Sequence, residues 1–78
     1  MKKNIIKDRI PMTPKMMGVL NFIKKYIKKH NYCPTFQEMC NGLGYKSKNS
    51  ITNLVNRLEA RKELKKIKGY RRNIELND

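Results

Sequence analysis

The sequence predicts a mainly α-helical domain, three helices closed by a small β-hairpin. Three observations predict it: apolar residues recur at three- and four-residue steps in three stretches, each stretch opens on a hydroxyl-bearing cap residue, and two short β-compatible runs flank Gly69. The chain has 78 residues, one domain's worth, and at this size folding buries only about 60% of the surface of the unfolded chain. With 38% hydrophobic residues it can fill one shared core but not a deep substrate cavity as well, which argues against an enzyme.

Residues 1–12 are basic and weakly patterned and read as an N-terminal arm, extended or partly disordered, ahead of a folded domain over residues 13–78. Thr13-Pro14 is a helix start: the hydroxyl can accept an otherwise unpaired N–H, and proline at the first helical position gives up no hydrogen bond. Met16, Val19, Leu20, Ile23 and Ile27 then form one apolar stripe on a helix reaching about Lys29. Asn31-Tyr32-Cys33-Pro34 ends it, because the residue before proline is pushed toward extended geometry. Thr35-Phe36-Gln37-Glu38 is a capping box that opens a second, short helix with Phe36, Met39, Cys40 and Leu43 inward, and Gly44 supplies the left-handed conformation that ends it.

Ser47 caps a third helix expected to run to about Lys62. Ile51, Leu54, Val55 and Leu58 face inward together, and Asn49, Asn53 and Asn56 lie opposite. Residues 64–68 and 73–76 make the hairpin, with Ile74 and Leu76 on one side. Leu64 and Ile67 do not share strand parity, so either Leu64 belongs to the helix exit or the first strand carries a bulge.

Two helices joined by a tight turn at residues 44–46, followed by a hairpin, make a three-helix winged helix-turn-helix, whose longer helix fits the major groove of double-stranded DNA. The charge agrees: 19 Lys plus Arg against 6 Asp plus Glu give a net +13, an excess that repels itself unless a polyanion is the partner. No Asp or Glu falls between Glu38 and Glu59, so nothing on the front of the second and third helices repels a phosphate backbone. Within that window Ser47, Asn49, Ser50, Thr52 and Asn53 lie at the end of the helix that reaches base edges, and amides and hydroxyls are groups that read them. Lys46 and Lys48 at the turn, Asn56 and Arg57 further along the helix, and Lys66, Lys68, Arg71 and Arg72 on the hairpin are the expected phosphate contacts. Tyr70 at the hairpin tip either meets the duplex or covers apolar surface of its own molecule.

Thr13-Pro14-Lys15, Cys33-Pro34-Thr35-Phe36-Gln37-Glu38-Met39, Leu43-Gly44-Tyr45-Lys46-Ser47-Lys48-Asn49 and Leu58-Glu59-Ala60-Arg61-Lys62 closely resemble the N-terminal domain of the LexA family of SOS repressors. The resemblance covers residues 12–76. It implies a winged fold, a transcriptional repressor, and base contacts from the positions of Ser47, Asn49, Ser50, Thr52 and Asn53. Where the best-known members carry two glutamates in the reading helix this chain has Thr52 and Asn53, which removes acceptors for a cytosine amino group and implies a different, A·T-richer operator. The family's proline after the serine is Lys48 here, and the glycine at the third helix's exit is matched to Glu63. Full-length members add a Ser-Lys protease domain that cleaves the linker and dimerises the protein. These residues hold no counterpart, so self-cleavage is not expected of this chain, and release from DNA falls to concentration, a partner protein or another protease.

Other readings are weaker. His30, Cys33 and Cys40 fall one ligand short of a tetrahedral zinc site, and no metal or other cofactor is expected. The lysines of the first helix suit a membrane surface, but its apolar face is needed for the core, and no stretch or leader suggests a membrane. The cysteines suit a reducing, cytoplasmic setting, with the protein associated with the nucleoid. An RNA-binding protein or a protein-docking antirepressor is the alternative use of the fold; the exposed aromatic platforms and G-x-x-G clamp of common RNA modules are not visible. One winged domain covers one half-site, so a homodimer on a palindromic site is expected. Catalytic groups and a small-molecule substrate are not expected.

Overall fold

Thr13 opens the first helix as its sequence predicts. In the computed structural model, which describes residues 10–77, its hydroxyl accepts the Met16 N–H at 3.1 Å, and α1 runs Pro14–His30. Asn31 ends it in the left-handed conformation, φ 67°, donating to Ile27 O at 2.7 Å. The buried pair Cys33 and Pro34 leads to the second cap, where both halves of the capping box form: Glu38 N–H donates to the Thr35 hydroxyl at 3.1 Å and Thr35 N–H to Glu38 Oε1 at 2.9 Å. The resulting α2, Phe36–Leu43, stops at Gly44 with φ 80°. Ser47 caps α3, Lys48–Ala60, by accepting the Asn49 N–H at 3.1 Å.

The three helices pack on one another around Met16, Val19, Leu20 and Ile23 of α1, Met39 and Cys40 of α2, and Ile51, Val55 and Leu58 of α3. Phe22, on the flank of α1, lies against Gly42 of α2; a Cβ at Gly42 would stand 2.4 Å from the ring. Packing begins before Thr13, since Ile10 and Met12 rest against the core and Ile10 O accepts a hydrogen bond from Arg61. The rest of the expected arm, residues 1–9, lies outside the described residues.

Two expectations about the C-terminal part need correction. The third helix ends two residues earlier than expected because Lys62, at φ 68°, is left-handed. Its N–H donates to Glu59 O at 2.9 Å and Glu63 N–H to Leu58 O at 3.0 Å, the paired bonds of a Schellman ending. The position that asks for glycine is therefore Lys62, not Glu63. The parity conflict between Leu64 and Ile67 also resolves without a bulge and without assigning Leu64 to the helix. The strand β1 is only Leu64–Lys66, pairing antiparallel with β2, Ile74–Leu76, with Leu64 opposite Leu76 and Lys66 opposite Ile74. Leu64 and Ile74 are buried in the core. Ile67 lies past the strand, half exposed, though its N–H still donates to Asn73 O at 2.7 Å.

Candidate nucleic-acid interface

The polarity of α3 follows from its burial. Ile51, Val55 and Leu58 are wholly buried, so Asn49, Asn53 and Asn56, on the opposite side at helical spacing, are exposed. Ser47 and Ser50 are exposed as well, and Thr52 is half-buried on one shoulder of the ridge. The five expected base-reading residues thus lie at the N-terminal end of one helix, and the capped end leaves further N–H groups directed outward.

The expected phosphate contacts divide into two groups. Lys46, Lys48, Arg57, Lys68 and Arg71 are exposed. Lys48 and Arg71 line a cleft of about 250 Å³ between the hairpin and the start of α2, together with Thr35, Phe36, Gln37, Tyr70 and Asn73. Asn73 Oδ1 is buried there with no hydrogen-bond partner among the described residues. Tyr70 is 69% exposed at the hairpin tip beside Gly69, so it covers little of its own molecule. The second group, Asn56, Lys66 and Arg72, is engaged with other groups of the protein, although Asn56 and Arg72 are exposed as well. Lys66 Nζ donates to Asn56 Oδ1 and lies 3.8 Å from Glu59.

Arg72 is held most firmly. Its guanidinium makes two bonds to Glu38, 2.7 Å to Oε1 and 3.0 Å to Oε2, donates to Cys33 O at 3.0 Å, and covers the Tyr32 ring at 4.3 Å. Tyr26 O–H donates to the same Glu38 Oε1 at 3.0 Å. The Arg72 fork, with the Thr35 N–H, holds the Glu38 carboxyl well below its ordinary range, at about 2.

Sequence reasoning missed Lys15. It lines a second cleft with Tyr45, Ser50, Asn53 and Arg57, next to the polar ridge of α3. One signal was available: Lys15 and Lys48 sit in first helical turns that hold no acid, where the helix dipole disfavours a cation, and a nearby polyanion would offset that cost. Cys33 and Cys40 are both buried thiols, and Cys33 Sγ accepts the Ile74 N–H at 3.3 Å.

A polar ridge on the second helix of a helix-turn-helix, flanked by cations and a two-stranded wing, defines a winged helix-turn-helix DNA-binding domain. The family described as LexA DNA binding domain matches residues 9–72, and the chain belongs to it. Relatives named LexA repressor are 41% identical over 54 residues in Limosilactobacillus fermentum, 34% over 67 in Caldicellulosiruptor saccharolyticus and 35% over 63 in Desulfatibacillum aliphaticivorans. These matches cover 69%, 86% and 81% of this chain and 26%, 33% and 31% of those relatives. The chain therefore spans a third or less of the length of the curated relatives it matches. No helix among the described residues is long and apolar enough to cross a membrane.

Proposed function

We propose that this chain is a sequence-specific transcriptional repressor that reads the major groove of double-stranded DNA with α3 and grips phosphates with the turn and the wing. One observation carries the reading: α3 buries Ile51, Val55 and Leu58 and exposes an uncharged ridge of Asn49, Asn53 and Asn56, within a stretch from Met39 to Leu58 that contains no acid. Ser47, Asn49, Ser50, Thr52 and Asn53 are the base-reading residues of this proposal. Lys46, Lys48, Arg57, Lys68 and Arg71 are its phosphate contacts. Family membership supports it, as do relatives that carry the name repressor. Two copies on a palindromic site, and a cytoplasmic location on the nucleoid, are part of the proposal and follow from half-site geometry and the partner.

Selection of bound duplexes from a random pool tests it. The proposal expects an A·T-rich half-site consensus. Asn49→Ala and Asn53→Ala are each expected to lose about 1–3 kcal/mol of discrimination at one base position while retaining nonspecific affinity. A consensus untouched by both substitutions would overturn the assignment of α3 as the reading helix.

A further inference from the structure

Among the hairpin cations, Arg72 has the contacts of a structural tie. Its partners come from three places: the Glu38 carboxylate in the first turn of α2, the Cys33 carbonyl in the segment before it, and the Tyr32 ring just after α1. Glu38 is itself shared, accepting from Thr35 N–H within α2's cap and from Tyr26 O–H on α1. One carboxylate thus connects α1, α2 and the wing. The neighbours of Arg72 in sequence, Arg71 and Asn73, line the cleft whose other wall is Thr35, Phe36, Gln37 and Lys48. On this side of the wing, the other hydrogen bond to the body among the described residues is from the Ile74 N–H of β2 to Cys33 Sγ; on the side of α3, Lys66 N–H donates to Glu59 Oε2 at 3.1 Å.

We infer that Arg72 is a positioning residue that, through Glu38, fixes the wing against the helix-turn-helix and sets where Arg71 meets a phosphate, and that it does not itself contact DNA. This rests on the DNA-binding reading above. It separates two roles that the run Lys68-Gly69-Tyr70-Arg71-Arg72 does not distinguish by charge: Arg71 faces the duplex, and Arg72 faces the protein. A lysine cannot replace it, because one ammonium cannot form the two-pronged pair with Glu38, reach the Cys33 carbonyl and lie flat on a ring at once.

Glu38→Gln gives the sharpest test. Glutamine still serves the Thr35 N–H in the capping box, and the substitution adds one net positive charge. Electrostatics alone then expects tighter duplex binding, whereas loss of the wing's position expects weaker binding, by about tenfold. Duplex affinity of the full chain is measured across a salt series for Glu38→Gln, Arg72→Gln, Arg72→Lys and Arg71→Gln. The inference expects the first three to weaken binding and Arg71→Gln to lower the slope against log salt by about 0.9, one phosphate; because Arg72 acts through Arg71, none of the first three is expected to lower it further than that. Tighter binding by Glu38→Gln, a slope loss in Arg72→Gln beyond that of Arg71→Gln, or full affinity in Arg72→Lys would each overturn it. Amide hydrogen exchange without DNA is the independent arm: Ile67 and Ile74 N–H should exchange faster in Glu38→Gln and Arg72→Gln, and unchanged protection overturns the positioning role. If the wild-type chain binds no duplex, the functional proposal fails, and exchange alone still decides whether Arg72 holds the wing.

Discussion

The carboxylate of Glu38 combines a local role with long-range ones, and its titration exposes both. Its value near 2, against an ordinary 4.5, means that the folded state binds this proton less readily than the unfolded chain. A lowered carboxyl contributes stability that is fully present above the unfolded value and is lost as pH falls toward the folded one. The window is therefore about pH 4.5 down to about 2. Urea midpoints of the wild type should drop across that range, and Glu38→Gln should show a shallower drop; parallel curves would mean the pairing contributes nothing. Only part of this residue was legible in the sequence. The spacing of Thr35 and Glu38 announces the capping box, but Arg72 lies 34 residues and Tyr26 12 residues away, and no local pattern links them. The asparagine ridge was legible because it is the complement of a strong apolar period, whereas Lys15 joins that ridge only through the packing of α1 on α3.

At the scale of elements, the helix starts were plain because each depends on one side chain and its own neighbours: Thr13, Thr35 and Ser47 all accept the N–H their positions require. The ends were less so. Gly44 declares itself, but Lys62 adopts the same left-handed backbone without the residue that suits it, so the apolar period of α3 suggested a longer helix. A lysine there is strained, and its two Schellman bonds together with the burial of Leu58 and Leu64 hold it in place. Lys62→Gly should therefore stabilise the domain by about 1 kcal/mol, raising Tm by roughly 4–8 °C for a domain of this size. A fall in Tm in a thermal scan would show that Lys62 is not strained. The strand lengths were misread for a related reason. Leu64 and Ile67 look like partners in one strand, yet only Leu64 reaches the core, and Ile67 belongs to the turn.

Across the whole molecule, the core and the charge make separate demands. Leu64 is the wing's wholly buried anchor, so Leu64→Ala should cost about 2–5 kcal/mol, a large share of the stability of so small a domain. Chemical denaturation would measure it, and a loss well under 1 kcal/mol would mean that the wing root is not part of the cooperative core. On the charge side, the five exposed contacts proposed at the turn, helix and wing set the salt response. If each takes one phosphate, log affinity against log salt should fall with a slope near about −4.5, and a flat response in a filter-binding series would reject duplex phosphates as the partner.

Every glutamate among the described residues pairs with a cation on or beside the wing: Glu38 with Arg72, Glu59 with Lys66, Glu63 with Arg61 and Glu75 with Lys65. These pairs engage the described glutamates, while Lys24, Lys25, Lys28 and Lys29 are exposed on α1 and pair with none of them. Two such bodies meeting in free solution present like sign to like sign. On the proposal that two copies share one site, a nucleic acid lying between them would supply the missing counter-charge, so the duplex is where they are expected to come together.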